Sequence, residues 1–154
     1  MEGSLTGDRA CRIPVRVRYS EVDRMGLLYH VNYLEYFELA RSEWIRRFWK
    51  PYRRIEDEGL MLVVVEAHLR FHRPAYYDEL LEIEARLEDW GRSRLTFAYR
   101  IFRTGDDKPL CTGRTGHCFV TGKGELCRIP ERLRELLGAA FGNPGKRDFP
   151  GREP

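Results

Sequence analysis

The stretch that decides the fold is YSEVDRMGLLYHVNYLEYFELAR, residues 19–41 of the 154-residue chain. It begins as a polar turn that carries one acid, Asp23, and then changes to a helical pattern. From Tyr33 onward apolar residues recur at steps of three and four, which predicts an amphipathic helix of about four to five turns. Pro51 ends this pattern. The apolar stripe of the predicted helix consists of Tyr33, Phe37, Ala40, Trp44 and Phe48.

The remainder of the chain alternates in the manner of strands. Residues 13–20 alternate apolar and basic side chains and predict a first strand with one solvated face. After the helix, four longer segments alternate in the same way and are separated by short turns: residues 60–72, 80–90, 94–103 and 110–121. A short helical turn at 52–59 and a closing helix at 129–141 complete the pattern. This order predicts an α+β domain in which one antiparallel sheet covers one long helix.

The ends of the chain differ in composition from the middle. Residues 1–12 are polar and contain two glycines, so we expect a flexible N-terminus. Residues 142–154 are charged and rich in Gly and Pro, which predicts a disordered tail. The predicted domain therefore spans residues 13–141, with no internal repeat or boundary.

Composition and charge exclude several classes of function. Apolar residues make up 42% of the chain and charged residues 33%, which is typical of a globular domain. The formal net charge of +3 is too small to indicate a nucleic-acid partner. No apolar run approaches the roughly 20 residues of an integral membrane segment. The N-terminal residues have no apolar signal-peptide core, so we expect a cytoplasmic protein.

Cysteine and histidine spacing argues against a metal site. Two histidines, His68 and His72, share one face of a predicted strand at about 13 Å, which is too far apart to bind one ion. No cofactor and no metal are therefore expected. The cysteines form no C-x-x-C pair and no zinc spacing, and we interpret them as reduced thiols: Cys11, Cys111, Cys118 and Cys127.

The combined motif Y-x-E-x-D-x-x-G-x-x-Y-H-x-N-Y-x-x-Y-F-E-x-A-R resembles hotdog-fold acyl-CoA thioesterases of the 4-hydroxybenzoyl-CoA thioesterase family. Within that family it is most similar to the bacterial Tol-Pal-associated branch. The resemblance is strong over residues 19–44, and the strand order supports it to residue 141. It implies a hotdog fold, in which an antiparallel sheet of about five strands wraps around one central helix. This chain departs from the usual motif at Val22, Arg24 and Met25, where the family has Thr and small residues, so the acyl group stays open.

Thioester hydrolysis needs an attacking group and a donor that stabilises the oxyanion. The resemblance assigns the first role to Asp23, as nucleophile or general base, and the second to the backbone N–H of His30 at the helix start. A turn residue is the alternative for Asp23, and the motif favours catalysis. Tyr29 completes the candidate catalytic group, although packing is the stronger interpretation for its ring. Asn32 is interpreted as a helix cap that pairs with Glu35 three residues later.

The resemblance also implies an acyl-CoA substrate and a homo-oligomer. The turn DWGRSRL offers Arg92, Ser93 and Arg94 as candidates for the nucleotide end of CoA, and Arg70 and Arg73 are weaker ones. Sheets of hotdog proteins pair into dimers, which often form tetramers, with the site between protomers.

Three alternatives stay open in the sequence. The acyl group could be carried by an acyl carrier protein, or the chain could be a non-catalytic acyl-binding or interaction module. The basic and aromatic stretch RRFWKPYRR could then contact an acidic partner, membrane lipid or nucleic acid, and a solvated helix end is the stronger interpretation. A hotdog dehydratase is a weaker hypothesis, because this chain lacks the D-x-N-P-x-H motif.

Overall fold

The computed structural model describes residues 9–145. Residues 1–8 and 146–154, and with them most of the predicted flexible ends, lie outside the described part. The described chain forms β1 (Cys11–Arg16), a 3-10 turn (Tyr19–Glu21), α1 (Asn32–Phe48), α2 (Tyr52–Asp57), β2 (Leu60–Phe71), β3 (Leu80–Trp90), β4 (Arg94–Arg103), β5 (Cys111–Thr121) and α3 (Glu131–Phe141). These strands pair antiparallel in the order β1-β3-β4-β5-β2, so the predicted α+β class with one five-stranded sheet is confirmed.

Strand β1 begins earlier and ends earlier than its alternation predicts. It starts at Cys11, which pairs with Ala85 of β3 and is fully buried. It ends at Arg16, because the chain turns into the 3-10 helix three residues later. The indole N–H of Trp44 donates to the carbonyl of Arg9 at 2.9 Å and holds the entry to this strand against α1.

Helix α1 lies against the sheet through a wide aromatic face. The ring of Phe37 stacks on Tyr99 of β4 at 4.3 Å between centroids, and Trp44 meets Phe97 edge-on at 5.2 Å. Most of the predicted stripe is confirmed, while Phe48 is only half-buried. Burial of each large apolar side chain contributes roughly 1.5–3 kcal/mol. The buried residues of α1 are Tyr33, Tyr36, Phe37, Ala40, Trp44 and Ile45.

Strand β2 is an edge strand whose predicted alternation is wrong. The register with β5 shifts between Val64 and Glu66, so a bulge interrupts the two-residue period. Three successive valines, Val63, Val64 and Val65, are 36%, 54% and 48% exposed. The outer edge of β2 has no strand partner within residues 9–145.

The sheet face that points away from α1 contains a buried charge that the alternation does not predict. Glu84 was expected on a solvated face but is 1% exposed. Its carboxylate contacts the guanidinium groups of Arg12 at 2.6 Å, Arg86 at 2.9 Å and Arg100 at 2.7 Å. Burial acts to raise the pKa of Glu84, but the hydrogen bonds from Arg100 and Arg12 outweigh it and lower that pKa.

No helix in the described part of the chain is both long and apolar enough to cross a membrane.

Candidate active site

Asp23 lies in a tight turn between the 3-10 helix and α1. Its Oδ1 accepts hydrogen bonds from the backbone N–H groups of Met25 at 2.8 Å and Leu27 at 3.1 Å. Gly26 makes the turn possible, because its φ of +77° is unfavourable for a side-chain-bearing residue. Among residues 9–145 no hydrogen bond reaches Oδ2, and Asp23 is exposed. The carboxylate thus stabilises the turn with one oxygen and presents the other to solvent.

The start of α1 presents a free backbone donor beside this turn. Val31 is the N-cap and makes no side-chain capping bond. In the described chain the N–H of His30 donates no hydrogen bond, and it belongs to the end of the helix where the dipole is positive. The ring of His30 lies edge-on to the ring of Tyr29 at 4.5 Å.

The capping role predicted for Asn32 is wrong. Asn32 is the first residue of α1, and no side-chain capping bond closes the helix start. Its side-chain amide instead donates to the carbonyl of Glu21 at 2.8 Å. This bond ties the helix start to the turn that precedes Asp23.

An open pocket of about 370 Å³ brings Asp23, Tyr29 and His30 together. Tyr29 is 46% exposed and forms part of the wall, whereas Tyr33 is 3% exposed and packs edge-on against Phe71. Burial raises the pKa of Tyr33 to about 12, so its hydroxyl stays protonated. The other wall comes from the last residue of β2 and the segment that follows it: Phe71, His72, Arg73 and Pro74.

The wall after β2 was largely missed by sequence reasoning. The Nε2 atom of His72 lies 2.9 Å from the hydroxyl of Thr112. Arg73 was a weak CoA candidate, and here its guanidinium pairs with Asp106 at 3.0 Å. The local pattern gave no sign of this wall, because the segment meets the Asp23 turn only through the tertiary fold.

The CoA candidates Arg92, Ser93 and Arg94 lie at the far end of the sheet. Leu28 donates to the carbonyl of Ala75 at 2.8 Å, which places the Asp23 turn beside the chain entering β3. The turn at residues 91–93 follows the opposite end of β3, roughly 30 Å away at the usual rise of a strand. One protomer therefore does not bring Asp23 together with Arg92, Ser93 and Arg94.

The candidates themselves differ in exposure. Arg92 is exposed, and Ser93 is half-buried. Arg94 is 9% exposed, and its guanidinium pairs with Asp89 at 2.9 Å. Arg70 is exposed and precedes Phe71 of the pocket wall, although Arg70 does not itself line the pocket.

A buried polar chain runs beneath α1, away from the pocket. Arg41 donates to the hydroxyl of Tyr99 at 3.0 Å, which bonds the hydroxyl of Thr115 at 2.6 Å. Thr115 in turn bonds Nε2 of His117 at 2.7 Å. His117 is fully buried, and burial, together with the charge of Arg41, lowers its pKa to about 3. The imidazole is therefore neutral and structural.

No group of three or more His, Cys, Asp or Glu side chains within residues 9–145 could hold a metal ion. The side chains that line the Asp23 pocket include one carboxylate, two imidazoles and one guanidinium, and within residues 9–145 the backbone N–H of His30 donates no hydrogen bond. This set suits acyl-transfer chemistry at a carbonyl group.

Known proteins of similar sequence and structure include thioesterases. Residues 17–137 match the model of the Thioesterase-like superfamily. The chain is 31% identical to the acyl-CoA thioesterase YbgC of Haemophilus influenzae over 128 residues, covering 82% of this chain and 93% of the relative. A hypothetical protein of Thermus thermophilus superposes with a TM-score of 0.79 at 36% identity, over 84% of this chain and 98% of that one.

The fold is shared with a protein whose crystal structure contains a bound CoA ester. A 4-hydroxybenzoyl CoA thioesterase mutant complexed with 4-hydroxybenzoyl CoA superposes with a TM-score of 0.75 at 20% identity, covering 83% of this chain and 98% of that one. The predicted hotdog fold and the predicted family resemblance are thereby confirmed. The chain belongs to the thioesterase-like superfamily and is a hotdog-fold thioester hydrolase.

Proposed function

We propose that this protein is an acyl-CoA thioesterase that hydrolyses an acyl-CoA to the free acid and CoA. The observation that carries the proposal is that Asp23 and His30 line one pocket. Within residues 9–145, Oδ2 of Asp23 accepts no hydrogen bond and the backbone N–H of His30 donates none. Similarity to a protein named acyl-CoA thioesterase supports the same substrate class.

The proposed chemistry follows from what each group can do. The N–H of His30 and the positive end of the α1 dipole stabilise negative charge on the thioester oxygen. Asp23 either attacks the carbonyl carbon, giving a mixed anhydride that water cleaves, or takes a proton from an attacking water. On both routes the carbon–sulfur bond breaks, CoA leaves as a thiol and water supplies the new oxygen of the acid. Tyr29 contributes its exposed ring to the wall of the pocket.

The first test is thiol release from a panel of aromatic and aliphatic acyl-CoAs of different lengths. We expect turnover by the wild type and a loss of at least about 100-fold in Asp23→Asn, the size expected for a general base or more. Asparagine keeps an oxygen that can accept the bonds from Met25 and Leu27, so the turn stays intact.

A matched control is Asp107→Asn, which removes a charge from an exposed position between β4 and β5. This variant is expected to keep full activity. Unchanged activity in Asp23→Asn would contradict the mechanism, and a wild type inert on every acyl-CoA would favour a carrier-protein substrate or a non-catalytic binding module.

The nucleotide end of CoA is proposed to contact Arg92, Ser93 and Arg70. The exposed guanidinium of Arg92 offers a charge for phosphate. Arg94 is proposed to shape the same turn through its ion pair with Asp89. Because the turn is distant from Asp23 within one protomer, the proposal requires that a second protomer supplies it.

We infer a homo-oligomer for the same reason. The free edge of β2 and the exposed Val63, Val64 and Val65 support pairing of two sheets through β2 into a dimer, with dimers associating into a homotetramer. An apolar edge strand left unpaired in solution would promote nonspecific association.

The proposed location is the cytoplasm. All four cysteines lie in the described part of the chain, and no disulfide bond joins any of them there. Free thiols are typical of a reducing compartment.

A further inference from the structure

Glu21 is a buried carboxylate two residues before Asp23, and it does not line the pocket. It is 4% exposed. Burying a carboxylate costs free energy unless its oxygens are paired with donors. A charged residue at this place therefore needs an explanation beyond the packing of the turn.

The carboxylate of Glu21 joins the 3-10 turn to the first turns of α1. Its Oε1 accepts hydrogen bonds from the backbone N–H of Arg18 at 2.8 Å and from the hydroxyl of Tyr36 at 3.0 Å. Its Oε2 lies 3.3 Å from the guanidinium of Arg18. Burial opposes ionisation, but the hydrogen bonds from Arg18 and Tyr36 lower the pKa of Glu21, so the carboxylate stays charged. Burial and the contact with Glu21 raise the pKa of Tyr36, which stays a donor.

The backbone carbonyl of Glu21 makes two further bonds to the helix start. It accepts from the N–H of Tyr29 at 2.9 Å and from the side-chain amide of Asn32 at 2.8 Å. Both partners flank His30, whose N–H is the proposed oxyanion donor. Glu21 thus links the Asp23 turn to the start of α1, beside the proposed donor His30, through both its carboxylate and its backbone carbonyl.

We propose that Glu21 is a positioning residue, which together with Tyr36 fixes the distance between the Asp23 carboxylate and the His30 N–H. This inference rests on the proposed thioesterase function. Acid and donor must meet one carbonyl group at the same time, and a displacement of about 1 Å can reduce the rate by about 100-fold. Residues 23–25 of the turn are exposed, so core packing alone does not hold it.

The first test compares kcat and KM of variants with the preferred acyl-CoA. Tyr36→Phe removes one hydroxyl and keeps the ring, and we expect kcat to fall about 10-fold with KM changed less than about 3-fold, because an interaction that acts on the transition state changes kcat. Glu21→Ala removes both carboxylate contacts and is expected to reduce kcat about 100-fold. Glu21→Gln keeps an acceptor for Tyr36 and Arg18, so it is expected to recover most of that loss.

A matched control separates positioning from general destabilisation. Tyr99→Phe also removes the hydroxyl of a buried tyrosine, here one bonded to Thr115 and Arg41 outside the pocket. We expect it to lower the unfolding midpoint as Tyr36→Phe does while leaving kcat unchanged. A fall in kcat of equal size in both variants would overturn the proposal.

The decisive measurement repeats Tyr36→Phe in an Asp23→Asn background. If Tyr36 and Glu21 act through Asp23, the second substitution costs less than about 2-fold there, because coupled residues are not additive. A full 10-fold further loss of kcat in the double variant would overturn the proposal. It would also be overturned if Tyr36→Phe and Glu21→Ala both kept the wild-type kcat while Asp23→Asn was inactive. A wild type without any thioesterase activity would overturn the proposed function first, and the two failures are thereby distinguishable.

Discussion

Asp23 meets two demands with the two oxygens of one carboxylate. Oδ1 closes the turn by accepting two backbone N–H groups, as a turn aspartate does. Oδ2 accepts no hydrogen bond within residues 9–145, and Asp23 lines the pocket in which the proposed chemistry takes place. Structural and catalytic interpretations of this residue are therefore compatible. Substitution by asparagine is the informative test because it keeps the first role and removes the second.

His117 gives the fold a dependence on pH that is separate from catalysis. Unfolded, it titrates near the ordinary value of 6.5, whereas in the fold its pKa is about 3. Between these two pKa values the unfolded chain binds more protons than the folded chain. The contribution of His117 to the free energy of unfolding is therefore fully present above pH 6.5 and is lost as the pH falls. We expect the free energy of unfolding to drop by about 2 kcal/mol from pH 7.5 to pH 5 from this residue alone.

Urea unfolding at pH 7.5, 6 and 5 measures this effect. His117→Gln has no titrating group there, so its free energy of unfolding should change less with pH over that range, whatever its absolute stability. An identical slope in the variant and the wild type would show that His117 is not the titrating group.

At the scale of the elements, close contact between α1 and the sheet depends on a glycine in β5. Gly113 lies beside Tyr99 of β4 and Leu69 of β2 in the register. An added Cβ would lie 2.6 Å from Cζ of Phe37 and 3.0 Å from the carbonyl oxygen of His68. The absence of a side chain at this position therefore lets Phe37 reach the sheet and stack on Tyr99.

We expect Gly113→Ala to lower the free energy of unfolding by about 1–3 kcal/mol, since the core has no room for the methyl group. Gly138→Ala in α3 is the matched control, because a Cβ there meets nothing within 4 Å. That control should raise stability by about 0.5–1 kcal/mol through better helix propensity. Chemical denaturation of both variants measures the difference, and equal effects would contradict the packing argument.

At the scale of the whole molecule, the candidate residues divide into two groups at opposite ends of one sheet. The pocket with Asp23 lies where β3 begins, and the turn with Arg92 lies where β3 ends. A protomer that worked alone would leave these groups roughly 30 Å apart. Association through β2 is the proposed way to complete the site.

Val64→Lys tests this association. A lysine on a free strand edge discourages pairing, so we expect the variant to shift from dimer or tetramer toward monomer in light scattering and to lose thioesterase activity. Leu126→Lys is the control, because Leu126 is 49% exposed but lies outside β2. A wild type that is monomeric and fully active would contradict the proposed shared site.

The sequence by itself determined the order of elements, the long helix, the family and the pairing of Asp23 with the start of α1. These features are encoded by local periodicity and by one continuous motif, so they can be recognised without knowledge of the fold. Glu21 lay inside that motif, and yet its role stayed hidden, because its partner Tyr36 approaches it only when the helix docks.

Only the tertiary structure decided which segments that are distant in the chain contact one another and which side chains they bury. The burial of Glu84 under three arginines, the burial of His117 and the pocket wall at the end of β2 all involve contacts between segments that are distant in the chain. The bulge in β2 depends on its register with β5. Alternation determines which side chains share a face of a strand. The environment of each face depends on which other segments of the folded chain pack against it.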